Sequence, residues 1–277
     1  DPACAIDEEL TIEVNLVATR TIAEIAKGFG ISRFIFASTC SVYGSSDGLL
    51  DERSALNPVS LYARSKIASE RVLLSLASPT FSPTILRFGT IYGLSGRIRF
   101  DLVVNLLTAK AVVDGKITIF GSDQWRPFVH VDDAATAVLK VLEAPLPLVR
   151  YQILNVGSDS QNYTLHQVGE TIHRLVPTAE LIVMGSDGDK RNYRVNFSKI
   201  RRLLDFTPRW TLEQGIQQVI DALNSGVIQD YRDARYSNVK FLSEEGGSRL
   251  IKHENGWAHA LIQDAPYQPI TASYDAE

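Results

Sequence analysis

Two spacings of apolar residues alternate along this chain. Short apolar runs stand at 33–38, 83–87, 128–132, 151–157 and 181–184, and runs of this kind, bounded by polar or glycine-containing segments, read as buried strands. Between them, apolar positions recur every three or four residues over 11–27, 62–76, 134–144, 164–176 and 212–223, the period of an amphipathic helix. The stretch 97–115 also reads as helix-rich. Strands alternating with helices predict an α/β fold around a parallel sheet. Phe34-Ile35-Phe36 is apolar at consecutive positions, so its strand is expected to be covered on both faces. Beyond about residue 225 the chain turns polar and irregular.

Candidate chemistry lies on the second of these helices. Tyr62 and Lys66 are four residues apart in Leu61-Tyr-Ala-Arg-Ser-Lys66, which puts both side chains on one helix face. A free phenol titrates near ~10, and a neighbouring cation favours its ionised form, which suits a tyrosine to proton transfer. Tyr236 and Lys240 have the same spacing but stand in a polar stretch with no chemistry around them, and that pair reads as coincidence. The first pair has a context. Upstream, the strand at 33–38 runs into Ser38-Thr39-Cys40-Ser41-Val42-Tyr43-Gly44, so hydroxyls gather at the strand end where parallel sheets bind ligands. Downstream, the strand at 83–87 runs into Phe88-Gly89-Thr90-Ile91-Tyr92-Gly93.

In this order the segments resemble the extended short-chain dehydrogenase/reductase superfamily, in particular its nucleotide-sugar epimerase/dehydratase branch. The resemblance rests on Asn15, Ser38-Thr39 with Val42-Tyr43-Gly44, Tyr62-x-x-x-Lys66, Leu86-Arg87-Phe88 with Tyr92-Gly93, and Arg126-Pro-Phe-Val-His-Val-Asp132. It runs from residue 1 to about 225. It implies the C-terminal part of a Rossmann-like doubly wound sheet, formed by 1–93 and 128–160, and a smaller α/β substrate lobe formed by 94–127 and 161–225. Residues 226–277 have no implied role.

The same resemblance implies the site. Tyr62 is the acid/base, and Lys66 holds the nicotinamide ribose and keeps the phenol's pKa down. Thr39 bonds the reacting sugar oxygen, Ser38 lines the nicotinamide pocket, and Phe88, Gly89 and Thr90 pass beside nicotinamide and sugar. Arg126 and Arg191 clamp the diphosphate, with Arg99 and Asn105 as further substrate contacts. Cys40 and Ser41 occupy the two places after Thr39 where dehydratases of this branch carry an acid. They are expected on the substrate side, and the missing carboxylate favours an epimerase over a dehydratase. A ketoreductase is the other enzymatic alternative. His130 and Asp132 are expected to be structural, with Asp132 capping the helix that follows. The implied cofactor is NAD, with NADP open, and the implied ligand is a nucleotide-diphosphate sugar. A homodimer would form through the helices at 11–27 and 62–76.

One family feature is not found. Members open with a strand and a Gly-x-x-Gly-x-x-Gly turn whose helix holds the cofactor pyrophosphate. Here Gly28-Phe-Gly30 follows a helix, Arg33 stands where a third glycine would be, and the glycines read as a helix end. The expectation is a chain without roughly the first 60–80 residues of its relatives, with the strand at 33–38 left as an apolar edge. A catalytically silent fragment, or a nucleotide-sugar-binding module, is the alternative of another class.

Composition narrows this little further. The chain is 45% hydrophobic over 277 residues, enough for one or two cores. No apolar run reaches the ~18 residues of a membrane span. A net charge of −4 with no basic cluster argues against nucleic acid. Cys4 and Cys40 are the only cysteines, which gives no disulfide framework and favours a cytoplasmic setting. The five histidines are scattered, and no metal site is expected.

Overall fold

A computed structural model describes residues 1–185, 191–246 and 256–263. In its N-terminal half, α1 (Glu8–Ile12) continues through a π turn into α2 (Ala18–Gly28), followed by β1 (Arg33–Thr39), β2 (Ser45–Leu50), α3 (Leu61–Ser75), β3 (Ser82–Phe88) and β4 (Thr90–Tyr92). The middle of the chain forms α4 (Val103–Ala109), β5 (Lys116–Phe120), β6 (Trp125–His130), α5 (Val131–Glu143), α6 (Leu146–Val149), β7 (Ile153–Val156) and β8 (Asn162–Thr164). Then come α7 (Leu165–Leu175), β9 (Glu180–Met184), β10 (Asn192–Val195), α8 (Ser198–Leu204), α9 (Leu212–Asn224), α10 (Asn238–Phe241) and α11 (Gly256–Gln263).

The main sheet is parallel, in the order β1-β3-β7. β3 is central and buried at every position. Its alternate residues serve opposite layers, as strand geometry requires. Ile85 packs with Ala23, Phe36, Leu73 and Phe81 beneath α2 and α3. Leu86 packs with Ala137, Val141, Leu154 and Ile200 beneath α5 and α8. Helices on both faces of a parallel sheet are the doubly wound arrangement expected from sequence. Among the described residues β1 pairs only with β3. Its edge is less apolar than the sequence suggested, because Phe36 is buried with the Lys66 ammonium 4.3 Å from its ring centroid.

A second core holds Tyr92, Leu107, Ile117, Phe128, Val168, Ile172, Leu212 and Ile216. Around it β6 pairs parallel with β4 and antiparallel with β8, while β5 pairs with β9. Helix starts are fixed locally. Ser60 accepts from the Ala63 N–H at 3.2 Å at the head of α3, and Thr164 and Thr211 form capping boxes with Gln167 and Gln214.

The cap of α5 differs from expectation. His130, not Asp132, caps it: the imidazole Nδ1 accepts from the Asp132 N–H at 3.2 Å. The ring is held for this by Trp210, stacked at 4.0 Å, and by Gln218 Oε1, 2.9 Å from Nε2. The carboxylate that is put to use is Asp133, which accepts from the Arg209 and Trp210 N–H groups at 2.9 and 3.0 Å.

The described residues past 225 pack onto the rest of the chain more than their polarity suggested. Tyr231 and Tyr236 each meet the Phe100 ring edge-on, with centroids 5.7 Å apart. Lys240 donates to the Arg232 carbonyl at 2.7 Å, so the Tyr236–Lys240 pair forms no site. α11 lays Ala258 and Ile262 against Ile12, Leu16, Ala68 and Val72, closing the seam between α1 and α3, and Trp257 lies 4.6 Å from the Arg20 guanidinium.

Candidate active site

The C-terminal ends of β1 and β3 and the first two turns of α3 meet at one place. β1 ends on Ser38 and Thr39, level with Arg87 and Phe88 of β3. The chain then turns sharply at Gly44, where φ is +70° and a Cβ would overlap the Asn57 carbonyl. Only glycine fits that approach. The turn brings residues 57–60 back to start α3, and so carries Tyr62 to the end of β1.

Tyr62 comes beside Thr39, whose hydroxyl acts to lower the phenol's pKa. Thr39 Oγ1 also accepts from the Ser41 N–H at 3.1 Å, which orients it. Burial is the largest influence on the phenol and pushes its pKa up to about 12, against the lowering effect of Thr39. The sequence-based expectation was the reverse, a phenol held down by Lys66. Instead the Lys66 ammonium rests over Phe36 and makes no hydrogen bond with the described residues. Burial lowers its pKa to about 8, opposed first by the Glu70 carboxylate. A partly enclosed ammonium with no acceptor fits the ribose hydroxyls of a dinucleotide.

Ser38 does not face a free pocket. Its hydroxyl donates to Glu70, which is fully buried and is held by Arg87 through Nε at 3.0 Å and Nη2 at 2.6 Å. Arg87 Nη1 donates to the Tyr43 hydroxyl at 3.1 Å, and Tyr43 donates to Asn155 Oδ1 at 2.8 Å. Cys40 also departs from its expected place. It is buried in the main core and its thiol donates to the Arg87 carbonyl at 3.2 Å, with burial pushing its pKa up, so it does not line a substrate surface. The small 3₁₀ turn that begins at Cys40 rotates this side chain inward. Ser41 lies 3.4 Å from the Tyr193 hydroxyl.

Asn105 is committed to structure. Its Oδ1 accepts from the Gly93 N–H at 3.0 Å and its Nδ2 donates to the Arg99 carbonyl at 3.1 Å, which fixes the loop rather than leaving an amide for a ligand. Arg99 forms a two-pronged pair with Asp101, both bonds 2.9 Å, and its charge is felt at Tyr62. Arg126 donates to the Arg191 carbonyl and to the Trp125 carbonyl, which brings the two expected diphosphate clamps together. Arg191 itself pairs with Asp1 at 3.2 Å. Phe88 packs into the main core, and Gly89 donates to the Val156 carbonyl at 3.0 Å with Pro127 close behind it. Thr90 begins β4 beside Phe128.

Three groups at the site were not singled out from sequence. Tyr193 is buried 5.7 Å from the Arg126 guanidinium and influences Tyr62. The Cys4 thiol lies 3.8 Å from the Asn15 amide and acts on both Tyr62 and Lys66. Glu70 is the third, and it was readable in principle: it sits a further four residues beyond Lys66 on the same helix. Among the described residues no cluster of histidines, cysteines and carboxylates could hold a metal.

A doubly wound sheet with a tyrosine and a lysine one helical turn apart at its C-terminal end defines an α/β protein of the short-chain dehydrogenase/reductase type. The chain belongs to the NAD dependent epimerase/dehydratase family, whose pattern matches residues 1–157. It is similar to the uncharacterized UDP-glucose epimerase YtcB of Bacillus subtilis, with 29% identity over 216 residues, 76% of this chain and 66% of that protein. It is also similar to a UDP-glucuronate 4-epimerase of Thermodesulfobacterium geofontis, with 26% identity over 76% of this chain and 65% of that protein. Among solved structures, MoeE5 in complex with UDP-glucuronic acid and NAD superposes with a TM-score of 0.69 at 28% identity, covering 76% of this chain and 71% of its own. The chain thus spans about two thirds of the length of these curated relatives.

Proposed function

We propose that this chain carries the proton-transfer and sugar-binding residues of an NAD(P)-dependent nucleotide-sugar epimerase, a 4-epimerase in type, working through a keto-sugar intermediate. The observation that carries this reading is Tyr62 set beside Thr39 at the end of β1, with the Lys66 ammonium one turn along the same helix, over Phe36 and without a hydrogen bond among the described residues. Bound NAD would supply the hydride acceptor and donor. Lys66 and the backbone at Phe88 and Gly89 would hold it, Lys66 through the ribose hydroxyls.

Tyr62 takes the proton from a sugar hydroxyl and returns it, and Thr39, beside the phenol, relays between the two oxygens. A phenol whose pKa lies near 12 keeps its proton at neutral pH, so the site needs a ligand-brought cation or a shift of Lys66 toward the phenol to ionise it. Arg191 binds the diphosphate by exchanging the Asp1 carboxylate for phosphate oxygens, with Arg126 and Tyr193 forming the floor beneath it. The absence of a carboxylate at positions 40 and 41 favours epimerisation over loss of water. The division proposed with it is a cofactor part from 1–93 and 128–160 and a sugar lobe from 94–127 and 161–225, with Tyr193 to Phe206 of that lobe packed into the main core and Tyr92 and Phe128 into the second.

Pairing of two copies through 11–27 and 62–76 belongs to the same proposal, with Ile22, Ile25 and Phe29 as exposed apolar side chains on α2. No helix among the described residues is long and apolar enough to cross a membrane, and a cytoplasmic setting is proposed with the rest. Titration calorimetry with NAD and with UDP-glucose or UDP-glucuronate tests the reading. Saturable binding of cofactor and of at least one sugar nucleotide is expected. A folded chain that binds neither would leave it a silent member of the family.

A further inference from the structure

The Tyr62–Lys66 helix is tied to the sheet by one buried carboxylate. Glu70 accepts three hydrogen bonds from two strands: from Ser38 at the end of β1, and from Nε and Nη2 of Arg87 on β3. Neither Glu70 nor Arg87 is more than 2% exposed. Buried ion pairs contribute little net stability compared with apolar residues of the same volume, so stability alone is a weak reason for one here. What this pair does is geometric. Ser38 precedes Thr39 in β1, and Glu70 follows Tyr62 by eight residues and Lys66 by four on α3. The three side chains climb one face of the helix.

We propose that Glu70 is a positioning residue for the Tyr62–Lys66 site: clamped by Arg87 and Ser38, it ties the strand bearing Thr39 to the helix bearing Tyr62 and sets a fixed negative charge one turn beyond the Lys66 ammonium. The proposal rests on the functional reading above for the roles of Tyr62 and Lys66. The groups that face Lys66 are Glu70 and Tyr62 on its own helix, the Cys4 thiol from the N-terminal segment and the uncharged Phe36 ring from β1. Of these, Glu70 has the largest charge effect on the ammonium, and it keeps Lys66 charged against a burial that works the other way. A charged Lys66 is the form able to hold a diol and to ionise a phenol.

The test reads Lys66 directly and needs neither cofactor nor turnover. Competitive acylation across a pH series, quantified at Lys66 by mass spectrometry, gives its titration midpoint in the wild type, Glu70→Gln and Cys4→Ser. Gln keeps the shape and the acceptor for Ser38 but removes the charge, and the Lys66 midpoint should fall by about one pH unit or more, the effect of losing an opposite charge at close range. The fall in Cys4→Ser should be the smaller of the two. An unchanged midpoint in folded Glu70→Gln overturns the proposal. If that variant does not fold, Glu70→Met/Arg87→Met removes both charges at similar volume; a fall in the same direction but smaller is expected, because the Arg87 cation goes with the carboxylate, and an unchanged midpoint overturns the proposal. Failure of cofactor binding in the wild type would sink the epimerase reading and leave this result standing, so the two are separable.

Discussion

Gly93 sits hard against the His130 ring, and Gly93→Ala should damage the fold out of proportion to one methyl group. The residue ends β4 with φ at +98°, a conformation an alanine holds only at a cost of about 1–3 kcal/mol. A Cβ there would also land inside the His130 imidazole. The ring has nowhere to retreat, being stacked on Trp210 at 4.0 Å, bonded to Gln218 at 2.9 Å and capping α5 through the Asp132 N–H. Pushing it aside forfeits the cap, about 1 kcal/mol, and leaves buried polar atoms without partners at about 1–3 kcal/mol. The Gly93 N–H bond to Asn105 shifts with the loop that holds Arg99. The expected loss is about 3–7 kcal/mol, against a total stability of about 5–15 kcal/mol for natural domains. Urea unfolding followed by circular dichroism measures it, with Gly96→Ala, where a Cβ meets open space, as the control. A Gly93→Ala midpoint matching that of the control would refute the account, and His130→Ala in the Gly93→Ala background should recover part of the loss.

Four further outcomes follow from the geometry. In a chain that binds NAD and a sugar nucleotide, Tyr62→Phe should lower turnover by about 10²–10⁴-fold while leaving substrate affinity nearly intact; steady-state kinetics with calorimetry separates the two, and near-normal turnover would remove Tyr62 from proton transfer. Lys66 titrates near 8 in the folded chain and near 10.5 when unfolded, so between those values the unfolded state binds more protons. Stability should therefore rise with pH across that window, a rise that Lys66→Met abolishes; equal pH slopes in urea unfolding would show that Lys66 is not desolvated. Arg191→Ala should weaken UDP binding in calorimetry, since it removes a guanidinium that Asp1 now neutralises; unchanged affinity would place the diphosphate elsewhere. Ile262→Asp would bury a carboxylate in the apolar seam and should release α11; hydrogen exchange at 256–263 should become unprotected while β3 stays protected, and persisting protection at α11 would contradict the packing.

Much of the sheet was legible because β1 and β3 carry short apolar stretches, Phe34 to Ala37 and Ile85-Leu86, and α3 because its helical period and hydroxyl-rich surroundings point one way. The elements that escaped are those made by their partners. β2 is Ser-Ser-Asp-Gly-Leu-Leu, with little strand propensity of its own, and exists as the parallel neighbour of β10. At the site, residue types were visible but orientations were not. Cys40 and Ser41 are adjacent, yet a 3₁₀ turn sends the thiol into the core and leaves the hydroxyl beside Tyr193. Asp132 has the better capping chemistry on paper, but a histidine immobilised by Trp210 and Gln218 was already in place. The direction of the Tyr62 shift was missed for a similar reason: spacing gives proximity along a helix, while the burial that raises the phenol's pKa depends on the whole fold, and the charge effects of Cys4 and Tyr193 that add to it come from distant parts of the chain.

The seam under α11 has a consequence for how this protein meets its neighbours. Ile12, Leu16, Ala68 and Val72 form the inner line of the two helical segments proposed for pairing of two copies, and in this chain that line is already covered by Ala258 and Ile262. A helix carried on the same polypeptide competes at an effective concentration on the order of millimolar. A second copy present at micromolar levels therefore meets a threshold set by the chain's own C-terminal segment, and partnership along that line becomes a question of protein abundance.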